Sequence, residues 1–133
     1  MVALLLLIAL ETPPPPALKP VDRAWDILND GIDNKDPAKR AKAIHALGLL
    51  HASRRARTSA EKALGDENLE VRVEAATALG RLGAASARPK LRRALDDKEV
   101  KVVIAATNAL YELKDPIAFY IYYTLLTGER KSS

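Results

Sequence analysis

The chain is 133 residues long, 48% hydrophobic but only 5% aromatic, with a formal net charge of +4; that is enough for one small domain with a core, and an apolar fraction dominated by Ala and Leu favours close-packed helices over sheets. Its 21 basic residues are interleaved with 17 acidic ones, a balance that suits a solvated surface better than a polyanion track. There is no cysteine, which excludes disulfides, thiolate chemistry and Cys-based metal sites.

The chain begins with an uninterrupted apolar run, Val2 to Leu10, about half the roughly 20 residues a membrane-spanning helix needs. Its length fits the apolar region of a secretory signal peptide, although no Lys or Arg precedes it and Ile8-Ala9-Leu10-Glu11 is a poor cleavage site. Residues 1–10 are therefore expected to act as a signal-peptide-like segment that exports the protein to a periplasmic or secreted location; the alternative is a hydrophobic first helix packed on the end of the domain. Residues 11–20 follow as a linker in which Pro13, Pro14, Pro15, Pro16 and Pro20 remove backbone donors and fix φ, so an extended polyproline-type spacer is expected.

Residues 21–133 read as one domain that aligns with itself. Arg40 to Gly48, Arg72 to Gly80 and Val103 to Tyr111 occupy equivalent places; Leu47 and Leu79 lie 32 residues apart, Leu79 and Leu110 31. That is the period of a helix pair unable to bury its apolar face alone. Two further ladders share the phase: Ala24, Ala56, Ala87 and Ala118, and Ile32, Leu64, Leu95 and Leu126. The units fall at about 22–52, 53–83 and 84–114, with a half-unit at 115–127. The expected fold is all-α, an α-solenoid of about three and a half helix pairs forming a right-handed superhelix fragment.

Second helices are expected over Pro37 to Leu50, Glu70 to Leu82 and Val100 to Leu113. Asp36-Pro37 and Asp115-Pro116 read as a capping residue followed by proline in the first turn, and Val71, Ala75, Ala78, Leu79 and Leu82 recur at the spacing of one buried stripe. The last helix, from Pro116 to Leu126, has no second helix after it and carries three of the four tyrosines and the only Phe. If its aromatic side chains are exposed, self-association, a partner or a missing continuation is implied; if they turn inward, the helix is a cap.

The middle unit, with Asp66-Glu67-Asn68-Leu69-Glu70-Val71-Arg72 followed by Ala75-Ala76-Thr77-Ala78-Leu79-Gly80, resembles the short bacterial, phycobilisome-lyase-like variety of HEAT repeat, and the resemblance covers Asp22 to about Thr127. It implies an interaction scaffold and a structural ladder in which an Asp and an Arg six positions apart link adjacent units through buried hydrogen bonds. Asp66 with Arg72 fits that spacing, Asn34 with Arg40 is a weakened copy, and Asp97 stands opposite Val103, so the ladder is expected to end in the third unit.

No catalytic residue, cofactor site or metal site is assigned. His45 and His51 are six apart, on different faces, not the i, i+4 arrangement of a shared metal, and Ser53, Ser59 and Ser86 stand in no nucleophile motif. The basic runs Arg54-Arg55-Ala56-Arg57 and Lys90-Leu91-Arg92-Arg93 fall on equivalent first helices, expected on the outer side and balanced by Glu61, Asp66, Asp96 and Asp97. Without interleaved aromatics they favour a solvated face over a nucleic-acid track. Recognition is expected on the concave inner face, from Lys42, His45 and Leu49, then Glu74, Thr77 and Arg81, then Ala105, Asn108 and Glu112, whose mixed charge suits a protein or peptide. The reading is a non-enzymatic scaffold with no transmembrane span; a nucleic-acid-binding solenoid and a lyase or lyase subunit are the alternatives.

Overall fold

The computed structural model describes residues 17 and 19–129, and the apolar run, with the export expected from it, and most of the Pro-rich linker lie outside them. Among the described residues seven α-helices follow in chain order: α1 (Pro20–Ile32), α2 (Pro37–Leu47), α3 (Arg54–Ala63), α4 (Leu69–Arg81), α5 (Arg88–Ala94), α6 (Val100–Glu112) and α7 (Ile117–Thr127), with a 3₁₀ turn, Ala85–Ala87, leading into α5. No strand occurs among the described residues, and no described helix is long and apolar enough to cross a membrane.

Three of the described helices, α2, α3 and α4, start where the sequence supplies a side-chain acceptor for orphan backbone donors. Asp36 accepts from Ala38 N–H at 2.9 Å, Ser53 from Ala56 N–H at 3.1 Å, and Asn68 from the N–H groups of Glu70 and Val71. The units end alike, on a left-handed residue: Ala52, Gly83 and Lys114, with φ of 58°, 62° and 57°. A run of three-residue turns, with the N–H groups of Gly48, Leu49 and Leu50 donating to the carbonyls of His45, Ala46 and Leu47, closes α2 at Leu47, three residues before the expected Leu50, while α4 and α6 lie within one residue of expectation.

Second helices form the spine of the stack. Contacts are densest along α2, α4 and α6, and α3 and α5 pack onto the second helices of their own units, while α1, α3 and α5 barely touch one another. Leu47, Leu79, Leu91 and Leu110 are fully buried, surrounded by Ala56, Ala60, Ala75, Ala76, Ala87, Ala106 and Ala118. Small residues permit this proximity: a Cβ at Gly48 would stand 3.1 Å from Ala78 Cα, and one at Gly80 3.0 Å from Ala109 Cα. Tight spacing on the second-helix side and loose spacing on the other curve the stack toward the second helices, which makes theirs the inner face.

The register ladders fail at the two ends. Ala56, Ala87 and Ala118 are buried, but Ala24 is exposed, and no described helix precedes α1 to cover it. Leu126 is 88% exposed, since its counterparts Leu64 and Leu95 are covered by the second helix that follows them and no described helix follows α7.

Candidate functional site

On the inner face, adjacent second helices join through their polar residues. His45 on α2 and Glu74 on α4 meet with Nδ1 to Oε2 at 2.9 Å, and Arg81 Nη1 lies 3.5 Å from His45 Nε2. A neutral ring with its proton on Nδ1 satisfies both sides, donating to the carboxylate and presenting Nε2 to the guanidinium. Lys101 reaches Glu70 at 3.6 Å in the same way between α6 and α4. Lys42 and Leu49 are exposed near the first end of the row. Thr77 is half-buried and returns its hydroxyl to Val73 O at 3.0 Å. In the third unit, Asn108 and Glu112 are exposed and Asn108 accepts from the Tyr122 hydroxyl at 2.7 Å. Ala105 is a correction: at 7% exposure it belongs to the core, one position round from the open row. What remains is a continuous polar strip of both signs across three helices, broken by one exposed leucine.

The arginine ladder has a different wiring from the expected one. Arg40 donates through Nε and Nη2 to both carboxylate oxygens of Asp66, each at 2.9 Å, and Arg72 does the same to Asp97 at 2.8 and 3.1 Å. Each Arg therefore grips the carboxylate of the following unit. The six-residue spacing within a unit serves the backbone instead: Arg40 Nη1 donates to the carbonyls of Asn34 and Lys35, and Arg72 Nη1 to those of Asp66 and Glu67. Asp97 is thus a full member of the ladder. Beyond it, where Val103 replaces the arginine, Arg92 on α5 takes over and binds both oxygens of Asp115 at 2.8 Å.

Burial pushes the carboxyls of Asp66 and Asp97 up, but the guanidinium of Arg40 or Arg72 and the N–H of Asn68 or Glu99 together hold both below the usual carboxylate range. For Asp115 the Arg92 hydrogen bonds dominate, and with the Ile117 N–H they outweigh burial in the same direction. The ladder roles of Asp97, Asp115 and Arg92 were not read from the sequence. For the two carboxylates the signal was the short turn each begins, in which Asp66, Asp97 and Asp115 each accept from the N–H two residues on.

The outer basic runs are largely committed. Glu61 pairs with both Arg57 and Lys90, Arg55 lies 4.4 Å over the Trp25 ring, and Arg88 donates to Leu113 O. Exposed Arg54 and Arg93 stay on the surface. An outer cleft of about 430 Å³ between α3 and α5 is lined by Glu61, Lys62, Lys90, Arg93 and Asp97, charges of both signs. A second, of about 440 Å³, lies beside Arg40, Asp66 and Ser59, with no histidine on its wall. Among the described residues no three of His, Asp and Glu gather as a metal site.

At the far end, the large side chains of α7 are split between core and surface. Ile121 is buried and Tyr122 half-buried, whereas Phe119, Tyr120 and Tyr123 are 65%, 61% and 56% exposed. Tyr111 of α6 packs edge-on to Phe119 and Tyr122, with centroids 5.7 and 6.2 Å apart. Burial, with Tyr111 and Glu112 nearby, raises the Tyr122 phenol above its ordinary value.

A family model described as HEAT repeats matches residues 25–111. Among curated proteins none matches the chain.

Proposed function

The chain belongs to the HEAT-repeat family, and from that premise we propose that it is a non-enzymatic scaffold that binds a protein or peptide partner along its inner face. The observation that carries this is the strip from Lys42 through His45, Glu74 and Arg81 to Asn108 and Glu112, where charges of both signs and one exposed apolar side chain, Leu49, stand on closely packed helices. Such a surface offers alternating donors and acceptors on a rigid base, which suits an extended peptide or a loop better than a polyanion. The short unit length fits the phycobilisome-lyase-like bacterial variety, and the apolar start of the chain supports export to a periplasmic or secreted site. The exposed aromatics of α7 support a second contact there, between copies of the chain.

The nucleic-acid reading has less behind it. Glu61 already pairs with Arg57 and Lys90, and Asp115 with Arg92, while Trp25, the aromatic beside the basic run, is already covered by Arg55. The lyase reading needs an acid–base pair on a cleft wall, and Glu61, Asp66 and Asp97 on the walls of the two clefts are each already held by a cation.

Selection of binders from a displayed random-peptide library tests the proposal. Selected peptides should lose binding to a Glu74→Lys/Arg81→Glu variant and keep it for Arg54→Glu. Binders indifferent to the inner-face exchange and lost on the outer one would overturn the assignment.

A further inference from the structure

Gly48 and Gly80 hold the same place on α2 and α4, and each brings the next second helix into backbone contact. On α6 that place is filled by Tyr111, 53% exposed. On the same stripe Val100 and Ile104, four residues apart, are 45% and 43% exposed, although Thr107 between Ile104 and Tyr111 is fully buried, whereas Val73, the counterpart of Ile104, packs against the core. On α7, Phe119, Tyr123 and Leu126 recur at i, i+4 and i+7 and are also exposed. In the earlier units the trough between a second helix and the next first helix is filled, α4 lying on α2 and α3, and α6 on α4 and α5. Between α6 and α7 no described helix fills it.

We propose that this trough seats α7 of a second copy of the chain, in a two-fold dimer whose helix separation is set by Tyr111. The repeat itself identifies the trough as a helix seat, because the same surface is an established interface twice over in the interior of the stack. Tyr111 changes what fits. A helix lined with alanine would be held off the glycine position and leave a void, whereas a helix carrying large rings fills the wider gap. α7 is such a helix, and its eleven residues include no charged side chain, so pairing with its own copy desolvates no ion. Glu112 and Lys114, one of each sign, stand at the rim, so a two-fold contact need not oppose like charges.

The area is adequate. With a full aromatic side chain near 200 Å², Tyr111, Phe119, Tyr120 and Tyr123 at their exposures leave on the order of 450 Å² open. Adding Val100, Ile104, Leu126 and the rim approaches the roughly 800 Å² per partner of a specific interface. The inference rests on the reading of α7 as a contact helix and shares Glu112 alone with the inner-face strip.

Sedimentation equilibrium on the full chain tests it, with circular dichroism as the check on folding. The expected result is a monomer–dimer equilibrium in the micromolar range, weakened about tenfold or more both by Phe119→Glu/Tyr123→Glu on α7 and by Ile104→Glu on α6, and unchanged by Arg54→Glu. Phe119→Ser/Tyr123→Ser serves in place of the glutamate pair if that variant loses helicity. A wild-type chain that stays monomeric overturns both the dimer and the reading of α7 as a contact helix. A dimer broken by the α7 variant but indifferent to Ile104→Glu keeps α7 as a contact and overturns its seating in the trough.

Discussion

Arg72 and Asp97 form a two-pronged ion pair between successive units, 25 residues apart in the chain, with Nε to Oδ2 at 2.8 Å and Nη2 to Oδ1 at 3.1 Å. Their side chains are only 9% and 14% exposed, so neither charge has water to fall back on. Replacing Arg72 by Ala strands the Asp97 carboxylate and releases the carbonyls of Asp66 and Glu67, and should cost about 3 to 5 kcal/mol in urea denaturation. A loss below about 1 kcal/mol, the value of an exposed pair, would show that the units do not depend on this link.

Core truncation should follow burial. Leu79 is fully buried at the centre of the spine, whereas Leu49 is 61% exposed. Leu79→Ala should cost about 2 to 5 kcal/mol, and Leu49→Ala should stay within about 0.5 kcal/mol, as surface changes do. Equal losses at the two sites would contradict the assignment of the buried face.

Gly80 tests the close approach of α4 and α6. Ala is favoured over Gly inside a helix by about 1 kcal/mol, but here the new methyl would meet Ala109 Cα at 3.0 Å, and α6 would have to move. Gly80→Ala should therefore destabilise by about 1 to 2 kcal/mol net. Gly65→Ala, where the nearest atom would be 3.6 Å away, lacks that steric loss and should be close to neutral. A stabilising Gly80→Ala would mean the two helices are not in backbone contact.

Acid should unlock the ladder. The Asp66, Asp97 and Asp115 carboxyls all titrate lower in the fold than the ordinary value, so their contribution is fully present above the unfolded value of about 3.9. It is lost as pH falls through the depressed folded values. Urea midpoints should fall away below about pH 4, and Asp97→Asn should make that fall shallower while lowering stability at neutral pH. Midpoints that drop between pH 7 and 5 and stay level below would contradict the assignment.

The helix pairs were legible because period, capping residues and buried stripe agree at every level: Leu47, Leu79 and Leu110 repeat in the sequence and all three are fully buried. The ladder was legible only in its arginines. A six-residue spacing describes a contact within a unit, and in the fold it brings Arg72 to the Asp66 carbonyl; the carboxylate partner comes from the next turn, where only the stacking of units places it. The exposure of Leu126 escaped for a related reason, since a register position says which face a residue takes and not whether a neighbour covers that face. Tyr111 stood in plain view opposite Gly48 and Gly80, yet its consequence depends on an interhelix distance that no sequence states.

The most direct measurement of the central claim is site-specific photo-crosslinking in the native host, with the reactive group placed at Thr77, Arg81 or Asn108 on the inner face and at Arg54 or Arg93 on the outer one. One discrete protein adduct is expected, shared by the inner positions and absent from the outer pair. Adducts formed only from Arg54 and Arg93, or adducts that nuclease removes, would contradict it.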